Sequence, residues 1–265
     1  MAKRADTRYL RDVAYADPSG LAARASLYDF QQPYIDLVAE AIGTLAPLDG
    51  RVVGDVGCGS GRYLDALRGA GARVVGIDLS AGMLGGVPSP PALMAADSQA
   101  LPLTDGSLDA VMMMHMLYHV PDPAMAVAEA ARVLRPDGKL LVATNGPRHL
   151  TEMNELWLPL LDRTGLRAPL EDAGLVTQRV MADDARRYVS MQFRDPEMRW
   201  LCSSVIVTDA APVVRHAAST TAAHAVGDYR EELVGELADA ITSHISRDGQ
   251  FTITTEVAFL TTTKA

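Results

Sequence analysis

A glycine-dense turn, Gly57-Cys58-Gly59-Ser60-Gly61, carries the strongest chemical signal in the sequence. It follows an apolar run and precedes a helical pattern, and Asp55 lies just before its first glycine. Glycines permit positive φ and let a ligand approach the backbone closely. A dinucleotide fingerprint would need its third glycine where this chain has Arg62, so the spacing indicates a ligand without a pyrophosphate to cradle.

Two further acidic residues follow the next two apolar runs. Arg73–Asp78 is typical of a buried strand, and an aspartate at its end can accept hydrogen bonds from both ribose hydroxyls of a nucleoside. Asp97 and Ser98 close a third short run, Ala92–Ala96, where a polar pair can meet an adenine edge. Three successive strand ends thus offer a glycine turn, a ribose acid and an adenine acid.

These residues resemble the class I S-adenosylmethionine-dependent methyltransferases, in particular the subgroup of ubiquinone/menaquinone-biosynthesis and small-molecule tailoring enzymes. The matching segments occur in order within roughly residues 35–147, and they are 55–61, 76–84, 97–103, 107–111 and 129–141. The resemblance implies S-adenosylmethionine as cofactor, S-adenosylhomocysteine as product, and methyl transfer to an O, N or C nucleophile of a small molecule. It is vague beyond residue 150, and we expect that half of the chain to choose the acceptor.

The turn, the strand ends and the resemblance together predict the cofactor contacts. Asp55 is expected to support the methionine amino group and Asp78 to accept the ribose hydroxyls. Met83 is expected to pack on the adenine face or to be an ordinary core residue. The predicted cofactor-binding residues are Asp55, Gly57, Cys58, Gly59, Gly61, Asp78, Leu79, Met83, Asp97, Ser98 and His115.

The candidate catalytic residues follow the predicted fourth strand. Methyl transfer from a sulfonium is an in-line displacement in which the protein mainly positions the reactants and excludes water. A general base is needed only if the acceptor carries a proton at neutral pH. His115, Tyr118 and His119 are the candidates for that base. A structural hydrogen-bonding role is the alternative for both histidines, and it is the role we expect for His119.

The chain divides into four predicted segments. Residues 1–33 form an N-terminal lid over the cofactor, 34–147 the cofactor-binding core, 148–200 a helical cap, and 201–265 the completion of the sheet. Loops and insertions past the carboxyl ends of parallel strands form the binding crevice of open α/β sheets. The predicted substrate contacts are therefore His149, Glu155 and Trp200, all within the cap.

Composition limits the partners and the compartment. The 265-residue chain carries a formal net charge of −9, which argues against a nucleic-acid partner because phosphates demand a basic surface. Its two cysteines fit neither a disulfide framework nor a metal site, so we expect no metal and a cytoplasmic location. The charged first residues lack the apolar core of a signal peptide, and no apolar run is long enough to span a membrane.

Strand-like and helical patterns alternate from residue 35 to 147, which predicts an α/β fold with a doubly wound, mostly parallel sheet. The last runs, Ser203–Thr208 and Gln250–Thr263, predict an antiparallel C-terminal edge. The expected fold is Rossmann-like, with a helical cap insertion. Three other functions stay open, namely a cofactor-binding fold repurposed for chemistry such as cyclisation, a non-enzymatic binding module, and an RNA methyltransferase.

Overall fold

A mixed eight-stranded sheet organises the chain in the computed structural model, which describes residues 11, 15, 19–88, 92–172, 180–220, 223 and 225–265. The strands lie in the order β1-β7-β8-β6-β5-β2-β3-β4. Their bounds are β1 Gln31–Gln32, β2 Val52–Val56, β3 Arg73–Asp78, β4 Ala92–Ala95, β5 Leu108–Met114, β6 Leu134–Asn145, β7 Glu197–Val207 and β8 Phe251–Thr263.

The central strands β4, β3, β2, β5 and β6 run parallel. β2 and β5 lie at the centre, with β3 and β4 following on one side and β6 on the other. All residues of β5 are buried, as expected for a parallel strand covered on both faces. β8 pairs antiparallel with both β6 and β7, and β1 adds a short antiparallel edge to β7. The predicted doubly wound sheet with an antiparallel C-terminal edge is confirmed.

Helices cover both faces of the sheet and its antiparallel end. Aspartates at two helix starts accept backbone N–H groups, as N-caps do: Asp36 from Val38 and Ala39, and Asp122 from Ala124 and Met125. The helices are α1 Ser19–Ala25, α2 Leu37–Leu45, α3 Leu64–Gly69, α4 Ala81–Gly85, α5 Pro123–Val133, α6 Thr151–Thr164, α7 Arg167–Asp172, α8 Ala182–Val189, α9 Ala211–Ala218 and α10 Arg230–Asp248. The described residues also form 3-10 turns at Ser26–Phe30, Leu117–His119 and Gly227–Tyr229.

Three apolar clusters fix where these helices lie. One cluster joins α5 and α8 to one face of the parallel strands, and a second joins α2 and α3 to the other face. The third packs α6, α9 and α10 with the 3-10 turn Ser26–Phe30 against β7 and β8. The N-terminal segment and the C-terminal helices are thereby brought to the same end of the molecule.

The structure corrects the predicted secondary structure at two places. The expected helical cap was to continue to residue 200, yet Glu197–Trp200 begin strand β7, because they pair antiparallel with Ala258–Thr261 of β8. The Pro-Asp-Gly sequence within Arg135–Gly138 predicts a turn before a fifth parallel strand at Lys139, yet strand β6 begins at Leu134 and includes these residues. Parts of the predicted lid (1–10, 12–14 and 16–18) and of the cap (173–179) lie outside the described residues, and the four-segment division stays a prediction.

Candidate functional site

A cavity of about 950 Å³ opens at the carboxyl ends of the parallel strands. It lies where the chain changes direction between β2 and β5, the position at which open α/β sheets bind ligands. Its lining residues come from the turns after β2, β3, β4 and β5, and also from α1, α6 and α9. The cavity therefore joins the predicted cofactor residues to elements that lie far from them in sequence.

The glycine turn needs its glycines for two different reasons. Gly57 has φ +77°, and a Cβ there would meet the Cβ of Met116 at 2.7 Å. Gly59 has φ +55°, and both residues line the cavity with their backbone. Gly61, at φ +85°, is not among the lining residues, and a Cβ there would press on Leu64 and Val87 at 3.0–3.2 Å. The predicted cofactor contact of Gly61 is therefore corrected to a packing role, because this end of the turn lies against core residues.

Asp78 connects the glycine turn to the next strand end. Its Oδ2 accepts the backbone N–H of Gly59 at 2.8 Å, and its Oδ1 accepts the N–H of Ser80 at 2.8 Å. Burial raises the pKa of this carboxyl, and the backbone hydrogen bonds oppose that shift. Each carboxylate oxygen can accept a further hydrogen bond, and Asp78 lines the cavity, so it can receive two hydroxyl donors from a ligand.

Asp55 is fully buried, and neither of its carboxylate oxygens has a hydrogen-bond partner among the residues that the structure describes. Burial raises its pKa to about 7, and the nearby charge of Asp78 adds to the shift. It lies behind the cavity wall that the neighbouring Cys58 lines, and burial also raises the pKa of that thiol. An orphaned buried carboxylate at this place is complementary to a ligand cation.

The remaining predicted cofactor residues lie along the same wall. Asp97 is held by Gln99, whose backbone N–H donates to its Oδ1 at 2.9 Å, and Ser98 lines the cavity beside it. Met83 is a buried core residue that also lines the cavity. Leu79 lies at the more exposed mouth.

The three candidate bases after β5 also line the cavity. His115 has a left-handed backbone, φ +54°, and its N–H donates to Ala143 O at 2.9 Å. Burial lowers the pKa of His115 to about 4 and that of His119 to about 3, so both are neutral near pH 7. Nε2 of His119 lies 2.9 Å from the hydroxyl of Tyr15, and the Tyr118 ring packs edge-on against His119. His119 thus joins the N-terminal segment to the end of β5.

The three predicted substrate residues separate in the structure. His149 lines the cavity, whereas Glu155 lies in a smaller surface depression with His244 and Phe251, on the other side of α6. Trp200 is 42% exposed on β7, and it packs beside Gly146, whose added Cβ would meet its ring at 2.6 Å. The predicted acceptor contacts of Glu155 and Trp200 are therefore corrected. Helix rotation turns Glu155 away, and strand pairing fixes Trp200 outside the wall.

Several lining residues were missed by the sequence reasoning. Tyr15, Arg24 and Tyr28 come from the N-terminal segment, and His216 comes from α9. They reach the cavity through hydrogen bonds to residues about a hundred positions or more away, such as Tyr28 to His149 and His216 to Arg24. Local spacing carries no signal for such pairs, although a buried histidine on an otherwise apolar helix face would have marked His216.

Comparison with known proteins agrees with this geometry. A family model described as a methyltransferase domain matches residues 54–142. A ubiquinone biosynthesis O-methyltransferase of Thiobacillus denitrificans is 41% identical over 112 residues, which cover 39% of this chain and 48% of that protein. A demethylmenaquinone methyltransferase of Renibacterium salmoninarum is 41% identical over 110 residues, covering 40% and 45%.

The chain contains a methyltransferase domain, at residues 54–142, of the kind found in class I S-adenosylmethionine-dependent enzymes. The solved YcgJ protein of Bacillus subtilis shares the fold of this chain, with a TM-score of 0.56 and 17% identity over 86% of this chain and 97% of that one. The chain spans about half the length of the curated relatives it matches.

The site fits S-adenosylmethionine, the cofactor of class I methyltransferases. Gly57 and Gly59 leave a backbone cradle that side chains would fill, and Asp55 offers an unpartnered carboxylate behind it. Oδ1 of Asn145, at the end of β6, is another buried oxygen that has no partner within the described ranges, and Asn145 lines the cavity. In the described part of the chain, no cluster of His, Cys, Asp and Glu is arranged to hold a metal, and no helix is long and apolar enough to cross a membrane.

Proposed function

We propose that the protein transfers the methyl group of S-adenosylmethionine to a small molecule bound in the second half of the cavity. The observation that carries this proposal is the composition of the cavity wall. One end presents Gly57, Gly59, Asp78 and Asp97, and the other presents side chains of α1, α6 and α9. A site of about 950 Å³ is large enough for a cofactor and a second ligand side by side.

The residues of the first end have distinct tasks in this proposal. Asp78 accepts the ribose hydroxyls, Asp97 and Ser98 meet the adenine edge, and the backbone of Gly57 and Gly59 lies along the methionine portion. The bound cofactor supplies an activated methyl group, so the protein's contribution is orientation and exclusion of water. Burial of the surrounding histidines keeps them uncharged, which removes repulsion toward a cationic ligand.

The second end favours a small apolar acceptor over a nucleic acid. Met153, Trp157 and Ala217 contribute apolar wall, and the net charge of −9 opposes a polyphosphate partner. The names of the relatives point the same way, since they describe enzymes of quinone biosynthesis. We therefore place the acceptor between α1, α6 and α9.

Calorimetry with S-adenosylhomocysteine and with NAD tests the cofactor, and transfer of a labelled methyl group into a metabolite extract tests the activity. We expect binding of S-adenosylhomocysteine, little binding of NAD, and a labelled small-molecule product. Asp65→Ala, an exposed change on α3, serves as the control beside Asp78→Ala. Tight binding of NAD without binding of the sulfur nucleoside would disprove the proposal.

A further inference from the structure

The protonation state of His149 can be read from its hydrogen bonds. The backbone N–H of Glu256 donates to Nδ1 of His149 at 3.1 Å, so Nδ1 carries the lone pair. Burial lowers the pKa of His149 to about 3, so the ring is neutral near pH 7 and its proton is on Nε2. That N–H donates to the hydroxyl oxygen of Tyr28 at 3.0 Å. The hydroxyl proton of Tyr28 is left to donate into the cavity, which Tyr28 lines.

The opposite tautomer follows for His216. Its Nδ1 lies 3.1 Å from the carbonyl oxygen of Arg24, and a carbonyl can only accept, so Nδ1 carries the proton. Burial lowers the pKa of His216 to about 4, so the ring is neutral and Nε2 keeps its lone pair. Within the part of the chain that the structure describes, the ring of His216 makes its hydrogen bond through Nδ1, and His216 lines the cavity. His216 therefore offers a hydrogen-bond acceptor to a ligand.

The two residues face each other across one corner of the cavity. The rings of Tyr28 and His216 have centroids 6.2 Å apart and planes at 80°. Arg24 holds this corner together, because its carbonyl accepts from His216 and its guanidinium donates to Ser219 O at 2.9 Å. The result is one fixed donor and one fixed acceptor, mounted on elements that pack against each other.

We propose that Tyr28 and His216 bind the hydroxyl group of the methyl acceptor, with the Tyr28 hydroxyl donating to its oxygen and Nε2 of His216 accepting its proton. This rests on the proposed function and adds to it the chemical class of the acceptor, a neutral phenol or enol on an apolar body. A lone donor would suit a carbonyl, and a lone acceptor would suit an amine. The adjacent donor and acceptor suit a hydroxyl, which both gives and receives a hydrogen bond.

The proton and the electrons balance in this step. The acceptor oxygen forms a bond to the methyl carbon, the carbon–sulfur bond breaks, and its electron pair stays on sulfur. The hydroxyl proton passes to Nε2 of His216, and the imidazolium later releases it to water. One positive charge is lost at sulfur and one is gained at His216, so the net charge of the buried cavity does not change during transfer.

The tautomers can be tested without any ligand. Nitrogen NMR of the full chain labelled with ¹⁵N-histidine should show His149 protonated on Nε2 and His216 protonated on Nδ1 near neutral pH. His149→Gln and His216→Asn assign the signals, and the exposed His244 of α10 is the reference. Finding His216 protonated on Nε2 would overturn the proposal, because that nitrogen could then not accept a proton.

Turnover provides the second test, with phenol, catechol and 4-hydroxycoumarin as hydroxyl acceptors and aniline and thiophenol as comparators. His216→Gln keeps a polar atom near the Nε2 position and cannot act as a base, so we expect kcat to fall about a hundredfold with KM changed little. His216→Asn keeps a donor for the Arg24 carbonyl, and it should lose both kcat and affinity for the acceptor. Tyr28→Phe should raise KM about tenfold. Binding of S-adenosylhomocysteine and thermal stability should match those of the His244→Asn control.

The outcomes separate this proposal from the proposed function. Binding of S-adenosylhomocysteine with methyl transfer only to aniline or thiophenol, or to none of the five compounds, overturns the hydroxyl assignment and leaves methyl transfer to another acceptor possible. Unchanged kcat in His216→Gln overturns the role of His216 as the base. Weaker binding of S-adenosylhomocysteine in Tyr28→Phe would assign the Tyr28 hydroxyl to the cofactor. Absence of S-adenosylhomocysteine binding in the unmodified protein would defeat both proposals.

Discussion

The backbone N–H of Gly59 donates a hydrogen bond of 2.8 Å to Oδ2 of Asp78. This bond ties the glycine turn after β2 to the end of β3. The same carboxylate accepts the N–H of Ser80 through Oδ1. Asp78 thus supports the turn and also lines the cavity, where we propose that it binds the cofactor.

Asp78→Ala should weaken binding of S-adenosylhomocysteine by about 1–3 kcal/mol, because the ribose hydroxyls lose a charged acceptor and Gly59 loses its anchor. Asp78→Asn keeps one acceptor oxygen and should lose less. Calorimetry measures both, with Asp65→Ala as the control. An unchanged dissociation constant in Asp78→Ala would remove this residue from the site.

The pattern of the sequence predicted the parallel half of this site because each contact there depends on neighbours along the chain. Arg73–Asp78 is a strand with the predicted bounds, and Ala92–Ala95 is a strand that ends one residue before the end of the predicted run. Asp78 and Asp97, at these two strand ends, line the cavity. In such a sheet the strand ends meet at one edge, so their order along the chain also fixes their neighbours in space. Hydrophobic pattern and turn chemistry suffice for that prediction.

Asp55 should make the stability of the ligand-free protein depend on pH. Its pKa is raised from 3.8 to about 7, so between these values the folded protein binds a proton that the unfolded chain releases. The contribution of Asp55 to the free energy of unfolding is therefore fully present at low pH and falls as the pH rises toward 7. When the pH rises from about 5 to about 8, the free energy of unfolding should fall by about 1–3 kcal/mol less in Asp55→Asn than in the unmodified protein. Urea denaturation at the two pH values measures it, and identical pH dependence in both proteins would contradict the assignment.

We expect His119 to have a structural role in the cavity wall and not to act as the general base. Its Nε2 is occupied by the hydroxyl of Tyr15 at 2.9 Å, and burial holds its pKa at about 3. His119→Asn should therefore lower kcat by less than about tenfold, measured with the hydroxyl acceptor that the unmodified protein turns over fastest. A loss of about a thousandfold, with cofactor affinity and thermal stability intact, would make His119 the base instead.

Asn154 and Glu155 are adjacent on α6 and should behave differently. Asn154 lines the cavity, and Glu155 lies in the depression on the other side of the helix. Asn154→Ala should lower kcat/KM for the acceptor about tenfold and leave S-adenosylhomocysteine binding unchanged, because a polar contact near the acceptor is lost. Glu155→Ala is the matched control and should change neither quantity. The reverse pattern would show that α6 presents its other face to the ligand.

The acceptor half of the site could not be predicted from sequence for a physical reason. The bonds that build it join distant positions, as in Tyr28 with His149 and His216 with Arg24. The position of Trp200 could not be predicted for the same reason. Its segment of charged and aromatic residues forms a strand by pairing with β8, which is distant in sequence. Tertiary pairing overrides local pattern at such places.

We expect sequence variation among related chains to differ between the two ends of the cavity. Its cofactor end comes from one continuous stretch of sequence, whereas its acceptor end is formed by α1, α6 and α9, which lie far apart in the sequence. Tyr28 is hydrogen-bonded to His149, and its ring packs edge-on against the ring of His216. A change in one of these residues therefore removes a contact that orients the others. We expect these three positions to change together when the acceptor changes, while Gly59 and Asp78 persist. New acceptor preferences can then evolve in this fold without disturbing the source of the methyl group.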